Sequence, residues 1–187
     1  METEELNIAA GLQDRVAQSF ERPVYMNFDK KIMDAQSYGN YEPIDAQLFP
    51  PFYIAYRTEM AEGSEVVHNN LKERFLNNDK QVVDAMKGFA QLTSDAFYFL
   101  KNNQPDKLGD LMNQNFDLRH SICSIASQNL EMVELARSVG ASAKFTGSGG
   151  AIIGTYENEE MYKNLTTILQ EKNIQIIQPK IVSIHEG

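Results

Sequence analysis

The chain has 187 residues, of which 42% are hydrophobic and 23% charged, and its formal net charge is −9. That length fits one main core, and the lack of any apolar run of membrane-spanning or signal-peptide length predicts a cytoplasmic protein with no membrane partner. The negative charge argues against a nucleic-acid partner, which requires clustered Lys and Arg, and the single cysteine, Cys123, excludes an intramolecular disulfide.

The first third of the chain predicts a helix, a strand, a long connection and a second strand. Residues 6–19 place apolar and small side chains on one side of a helical projection, and residues 24–28 form a strand-like run. Residues 30–51 carry one glycine and three prolines with little periodicity, which indicates a connection. The aromatic residues of 52–56, bounded by proline, predict the second strand.

The middle of the chain predicts four helices, over residues 64–76, 78–102, a stretch that starts near Pro105, and 128–139. Gly140 occupies the position at which a left-handed residue closes the last of them. The helix over 78–102 has a broad predicted apolar face formed by Val82, Met86, Phe89, Ala90, Thr93, Phe97 and Leu100.

The last part of the chain predicts a buried strand over residues 151–156, an amphipathic helix over 157–172 and another strand over 174–177. Strands that alternate with blocks of helices are typical of an α+β fold. We therefore expect an antiparallel sheet with its helices packed on one face.

A glycine-rich loop lies directly before the buried strand and shortly after Lys144. The loop consists of Thr146, Gly147, Ser148, Gly149 and Gly150. Because glycine tolerates left-handed backbone angles, consecutive N–H groups here can converge on an anion such as phosphate. The spacing matches neither a dinucleotide-binding G-x-G-x-x-G nor a Walker loop. A helix-to-strand turn that uses glycines for packing is the alternative, and composition does not separate the two.

The segment 143–151 resembles the third signature of the GHMP kinases, a family of small-molecule kinases that includes those for galactose, homoserine, mevalonate and phosphomevalonate. In that family the glycine-rich loop lies against the site of phosphoryl transfer, and the strand after it belongs to a ferredoxin-like C-terminal domain. Residues 41–45, 113–119 and 129–133 are similar to segments of its glucuronokinase-like branch. The resemblance therefore implies a ferredoxin-like GHMP kinase C-terminal domain preceded by a helix-strand remnant of the N-terminal domain.

The resemblance also implies site residues. Residues 9–15 are similar to the family segment whose aspartate acts as catalytic base or orients the substrate hydroxyl, which makes Asp14 the catalytic candidate. Lys144 is a candidate donor to phosphate. Weaker candidates for contact with a sugar carboxylate or phosphate are Arg15, Arg57 and Arg119. Ordinary surface positions are the alternative for all of these charged residues, and no metal-ligand spacing occurs.

The family's nucleotide-binding signature, a proline followed by a glycine- and serine-rich loop that opens a helix, does not occur in this sequence. The resemblance thus implies that residues 1–48 are the tail of the N-terminal kinase domain and that residues 49–187 are the C-terminal domain. Without the loop that wraps the triphosphate and its Mg²⁺, preorganised electrostatic stabilisation is lost. We expect the isolated chain to have no appreciable kinase activity and to bind neither ATP nor Mg²⁺ tightly.

Two functions are compatible with these features. One is part of an ATP-dependent kinase that phosphorylates a sugar or sugar acid at the anomeric hydroxyl, with a uronic acid favoured by resemblance. The other is a truncated, non-catalytic module that acts by pairing with a separate N-terminal domain, with a second copy of itself or with another protein. The apolar surface left by an absent domain would favour such pairing. Titration of the chain with ATP separates the two.

Overall fold

The structure is a computed structural model that describes residues 12–58 and 71–180. The chain divides into two compact units between Phe49 and Pro50. The predicted helical residues 6–11 and 64–70, and the first part of the aspartate-bearing segment 9–15, lie outside the described residues.

Within its described residues, the first unit contains two helices and a two-stranded antiparallel sheet. Its elements are α1 (Leu12–Phe20), β1 (Val24–Asn27), α2 (Lys30–Gln36), β2 (Asn40–Pro43) and a 3₁₀ turn at Ala46–Leu48. Strands β1 and β2 pair so that Val24 lies opposite Pro43 and Asn27 opposite Asn40. The prediction of a helix and then a strand is confirmed for the described residues.

The prediction that residues 30–51 form a connection is wrong, because α2 and β2 lie within that range. Local capping rather than periodicity defines these elements. The Asp29 carboxylate accepts the Lys31 N–H at 2.9 Å, which caps α2 at its start. Ser37 ends the helix in the left-handed conformation, with φ of 66°. Asp45 caps the following 3₁₀ turn in the same way, through the Gln47 N–H.

The second unit consists of a four-stranded sheet and five helices within its described residues. Its elements are β3 (Phe52–Tyr56), α3 (Leu71–Leu76), α4 (Lys80–Lys101), α5 (Leu108–Ile122), α6 (Ser127–Ser138), β4 (Lys144–Phe145), β5 (Ala151–Thr155), α7 (Glu159–Gln170) and β6 (Gln175–Ile177). A 3₁₀ turn at Pro105–Lys107 leads into α5. Pro105 was predicted near the start of this helix, and it lies at the start of that turn.

The sheet of the second unit has the order β4-β5-β3-β6, and every neighbouring pair is antiparallel. One face of the sheet is buried, because alternate residues such as Tyr53, Ala55 and Ile152 have no exposed surface. This face packs into a core with Phe116 of α5, residues of α6 such as Met132, and residues of α7. The predicted α+β fold with an antiparallel sheet is confirmed.

Helix α4 buries a narrower stripe than its apolar pattern predicted. Val82 and Leu100 are buried, whereas Met86, Ala90 and Thr93 are exposed. Among the described elements, the helix packs mainly along α5, so one narrow side of it is buried by them. The predicted broad apolar face is therefore wrong at three of its positions.

Two close contacts fix the edge of the sheet at β4. The Tyr53 hydroxyl donates to the Ser142 carbonyl oxygen at 2.7 Å, and burial raises the pKa of that hydroxyl above its ordinary value. A Cβ at Gly154 would lie 1.7 Å from the same carbonyl oxygen, so only glycine fits there. The segment that enters β4 is thus held tightly against β3 and β5.

Candidate functional site

The glycine-rich loop, residues 146–150, connects β4 to β5 as a hairpin connection. The Thr146 N–H donates to the Ala151 carbonyl oxygen at 3.2 Å, which closes the hairpin, and residues 146–148 are exposed. The strand after the loop was predicted, but β4 was not, because two residues are too few to show a period of two. The loop is therefore a strand-to-strand connection and not the helix-to-strand turn considered as its alternative.

The three glycines of the loop differ in whether the structure requires glycine at their positions. Gly149 and Gly150 have positive φ angles of 145° and 76°, a region that side chains disfavour. A Cβ at Gly149 would also lie 3.0 Å from the Asn129 Nδ2 atom. A Cβ at Gly147, in contrast, would meet no atom of the described chain within 4 Å. Packing of the described residues does not require glycine at position 147, and no described atom fills the space beside it.

Arg119 of α5 binds the loop through backbone carbonyl groups. Its Nη1 atom donates to the Gly147 oxygen at 2.7 Å, and its Nη2 atom lies 3.3 Å from the Ser148 oxygen. The guanidinium carbon lies 5.1 Å from the centre of the Phe145 ring, within the range of a cation–π contact. Arg119 was predicted as a substrate contact, and the structure shows that its charge is directed at the loop.

Asn129 of α6 holds the other end of the loop. Its side-chain oxygen accepts the Gly150 N–H at 3.2 Å, and the residue is only 6% exposed. The sequence analysis gave Asn129 no role, although a signal was present. Asn129 occupies the same helical face as the buried residues Met132, Val133 and Ala136, and a polar side chain on a buried face needs a hydrogen-bond partner.

Three consecutive backbone donors of the loop are uncommitted. No acceptor within residues 12–58 and 71–180 is found for the N–H groups of Gly147, Ser148 and Gly149. Successive N–H groups in a glycine-rich turn form a concave site for an anion. The loop therefore has the donors that a phosphate group would use.

Lys144 places a second cation beside the loop. Its Nζ atom donates to the Phe145 carbonyl oxygen at 2.8 Å. Burial lowers the pKa of the Lys144 ammonium below its ordinary value, and the positive charge of Arg119 lowers it further. An anion bound at the loop would relieve the repulsion between these two cations.

Contacts among α5, α6 and β4 support the loop from behind. The Arg137 guanidinium donates to the Asp117 carboxylate at 2.7 Å and to the Asn113 side-chain oxygen at 3.0 Å. That Asn113 oxygen also accepts the Ala143 N–H at 2.9 Å, immediately before β4. Because these partners come from three different elements, they fix the start of β4 relative to both helices.

Arg57 lies at the end of β3 and is mostly buried. Its Nη2 atom lies 2.6 Å from the Glu131 carboxylate, its Nη1 atom donates to the Lys172 carbonyl oxygen at 3.1 Å, and its side chain is 17% exposed. Its backbone N–H lies 3.5 Å from the Gly150 oxygen. An ordinary surface position does not describe Arg57, and its contact with substrate stays a prediction.

Asp14 and Arg15 lie on α1 of the first unit, and both are exposed. Asp14 is in the first turn of the helix, where a carboxylate is favoured by the helix dipole. The catalytic role of Asp14 and the substrate contact of Arg15 stay predictions.

Neither a membrane span nor a metal cluster emerges from the described part of the chain. Of the helices described, none combines the length and the apolar character needed to cross a membrane. Within residues 12–58 and 71–180, no three His, Cys, Asp or Glu side chains are grouped so that they could hold a metal ion.

No protein-family model matches the chain. The chain is similar to Glucuronokinase 1 of Arabidopsis thaliana, with 43% identity over 152 residues, and to Probable glucuronokinase 2 of the same plant, with 42% identity over 153 residues. Each match covers 80% of this chain and 42% of the relative, so the chain spans less than half the length of these curated relatives.

The fold is similar to that of L. major mevalonate kinase, solved in complex with R-mevalonate. The TM-score is 0.61 at 22% sequence identity, over 78% of this chain and 47% of the other. The sequence similarity agrees with the glucuronokinase-like resemblance from which the site residues were predicted, and the similarity to the mevalonate kinase concerns the fold alone.

Proposed function

We propose, from the premise that this chain is a homologue of the glucuronokinases and a member of the GHMP kinase family, that it is part of an ATP-dependent sugar kinase. The proposed reaction transfers the γ-phosphoryl group of ATP to a hydroxyl of a sugar acid. The relatives' names support a uronic acid as the acceptor, and we place the transfer at its anomeric hydroxyl.

The observation that carries this proposal is the set of free donors on the glycine-rich loop. The N–H groups of Gly147, Ser148 and Gly149 have no acceptor in the described chain, and the cations Arg119 and Lys144 lie beside them. A phosphate group needs several directed donors and nearby positive charge. In a protein with a net charge of −9, such an arrangement is local and specific.

In the proposed mechanism, the loop stabilises charge that is spread over the phosphoryl oxygens during transfer. Phosphoryl transfer depends mainly on positioning and on electrostatic stabilisation, which fixed N–H groups supply without reorganising. The bond from the γ-phosphorus to the leaving oxygen of ADP breaks as a bond to the sugar oxygen forms. We assign the acceptance of the sugar hydroxyl proton to Asp14.

The remaining proposed roles concern the arginine contacts with the substrate and the magnesium ion. Arg57 is a proposed contact for a substrate carboxylate, for which it would exchange its Glu131 partner. Arg15 is a separate proposed substrate contact. In the complete kinase, Mg²⁺ bound with ATP would neutralise phosphate charge. The described residues contain no group of three metal-ligating side chains, so none of them is assigned to the ion.

We further propose that residues 1–48 belong to the N-terminal kinase domain and residues 49–187 to the C-terminal domain. The division of the chain between Phe49 and Pro50 supports this boundary. Beside the sugar substrate, the proposed partner of this cytoplasmic chain is an N-terminal kinase domain or a second copy of the chain. Because the sequence lacks a nucleotide-binding signature, the chain alone should show no appreciable turnover of glucuronate with Mg-ATP, as measured by ADP release.

Gly147→Ala tests the loop as the phosphate site. The added methyl group meets no described atom of the protein, so the variant should fold with unchanged or slightly higher stability. The same methyl group would enter the space from which a phosphate approaches the N–H groups. We expect weak but saturable binding of inorganic pyrophosphate by the wild-type chain in calorimetry, and binding about tenfold weaker in the variant.

Two results would count against the proposal. If Gly147→Ala binds pyrophosphate as the wild type does, the phosphate is not held at this loop. If the wild-type chain binds neither pyrophosphate nor Mg-ATP at any accessible concentration, a non-catalytic module is the better account of the chain. Thermal denaturation of both proteins shows whether a loss of binding comes from a loss of folding.

A further inference from the structure

Arg119 contacts two consecutive peptide units of the glycine-rich loop. One terminal nitrogen binds the Gly147 oxygen at 2.7 Å, and the other lies 3.3 Å from the Ser148 oxygen. The planar guanidinium group presents its donors as a rigid fork, so two adjacent acceptors are held in a fixed relation to each other. Both peptide units are thereby oriented by one side chain.

Because of the geometry of the peptide bond, the contact of Arg119 with two carbonyl groups also fixes the direction of two N–H groups of the loop. In a trans peptide, the carbonyl group and the following N–H group point in opposite directions, and the described chain contains no cis peptide. The carbonyl of Gly147 shares its peptide with the Ser148 N–H, and the carbonyl of Ser148 shares its peptide with the Gly149 N–H. Because both carbonyls face Arg119, both N–H groups face away from it.

From this geometry, and given the proposed function, we infer that Arg119 is a positioning residue. It orients the N–H groups of Ser148 and Gly149 toward an incoming phosphate and does not itself bind the sugar. The partners of Arg119 are neutral carbonyls, so its positive charge still contributes to the potential at the loop.

The position of Arg119 is itself fixed by a row of aromatic and guanidinium groups in contact. Its guanidinium lies 5.1 Å from the centre of the Phe145 ring, and that ring meets Phe116 edge-on with centroids 5.2 Å apart. The Arg137 guanidinium lies 5.2 Å from the Phe116 ring and is bound to Asp117. Aromatic and guanidinium groups in such contacts prefer defined geometries. The row therefore connects the loop to the packed interface between α5 and α6.

Arg119→Lys is the variant that isolates positioning from charge. It keeps the positive charge beside the loop but removes the fork that holds both carbonyls. Arg74→Lys is a matched control, because Arg74 also binds a carboxylate and a backbone carbonyl, those of Asp79 and Ile122, and within the described residues it does not contact the loop. Arg119→Ala, which removes the charge as well, gives the scale of the effect.

Two measurements on the full chain test the inference, and they separate it from the proposed function. The first is ¹⁵N relaxation of the loop amides in the ligand-free protein, which reports their order. The second is a titration with inorganic pyrophosphate, followed by the shifts of the same amides. For Arg119→Lys we expect disordered amides at 147–149 and affinity about tenfold weaker, with thermal stability equal to that of Arg74→Lys.

The outcomes are distinct. Loss of order together with weaker binding supports the inference. Loop amides in Arg119→Lys that are as ordered, or as mobile, as those of the wild type overturn it, and so does unchanged pyrophosphate affinity after order has been lost. If the wild type binds no pyrophosphate but Arg119→Lys still loses loop order, Arg119 positions the loop as inferred, and the proposed phosphate site is what fails.

Discussion

Two arginines flank the glycine-rich loop, and their different partners give them different properties. Arg57 faces the carboxylate of Glu131, which compensates its charge, while among residues 12–58 and 71–180 the partners of Arg119 are neutral carbonyl groups and an aromatic ring. A compensated charge contributes little to the potential beyond its partner, whereas an uncompensated one retains most of its field. The partner, rather than the residue type, therefore decides how much of each cation's field reaches beyond its own contacts.

Gly150 lies between the two arginines and gives the largest expected effect. Its φ is 76°, its N–H is bound by Asn129, and its oxygen lies 3.5 Å from the Arg57 N–H. Gly150→Ala should lower the free energy of unfolding by about 1–2 kcal/mol, since a Cβ is strained in the left-handed region. Urea denaturation measures this, with Gly147→Ala as the matched variant in the same loop. Equal stability of the two variants would show that the loop does not need this conformation.

Glu131→Gln tests the compensation of Arg57 and has the next largest expected effect. The neutral amide leaves the mostly buried Arg57 charge without its counter-charge, and the 3.6 Å contact with the Lys172 Nζ atom loses its ionic character. The Glu131 side chain is 39% exposed, so solvent screening limits the loss of stability to about 1 kcal/mol.

The control for Glu131→Gln is Asp84→Asn. The Asp84 carboxylate also faces two cations, Lys80 and Lys87, but all three side chains are more than half exposed. We expect no measurable change in its unfolding free energy. If Glu131→Gln proves as stable as Asp84→Asn in urea, Arg57 does not depend on its carboxylate partner and the contrast with Arg119 fails.

Lys144→Met has the smallest expected effect on the free energy of unfolding, and we expect that effect to depend on pH. Burial lowers the pKa of Lys144 in the folded protein below the ordinary value of 10.5. Between these two pKa values the unfolded chain binds more protons than the folded one, so this lysine's contribution to stability rises with pH. The variant should therefore gain most over the wild type at neutral pH, and its advantage should shrink as the pH approaches 10.5.

Urea denaturation from pH 7 to pH 10.5 measures that trend, and Lys163→Met, which changes an exposed lysine of α7, is its control. The difference between wild type and the control should stay level over this range. An advantage of Lys144→Met that is constant or grows with pH would mean that burial of the ammonium group is not what the structure implies.

The sequence predicted most elements of the second unit, because their signals are local. The strands at β3 and β5 alternate buried and half-buried residues, and Gly140 ends α6 near its predicted position with φ of 89°. β4 was missed because it is too short to show a period. α2 was missed because its caps, and not a periodic pattern, define it. The predicted width of the α4 apolar face was wrong because burial depends on how many neighbours pack against a helix. The helix's own residues do not encode that number.

The candidate site was predicted only in part. The loop was predicted, but the side chains that hold the loop in place were not. The loop was found because glycine, Ser and Thr in succession are a local signal, and its family resemblance pointed to phosphate. Asn129 and the contacts of Arg119 were not found, since the residues that meet are 21 and 28 positions apart in the chain.

By itself, the sequence determined where the backbone is free to turn, which segments form helices and strands, and which family the chain resembles. These depend on residue types at adjacent or periodically spaced positions. Only the tertiary structure decided that Arg57 is compensated, that Arg119 holds two loop carbonyls and that three N–H groups find no acceptor among the described residues. The physical reason is that a hydrogen bond depends on distance and direction, and these follow from how α5 and α6 pack against the sheet.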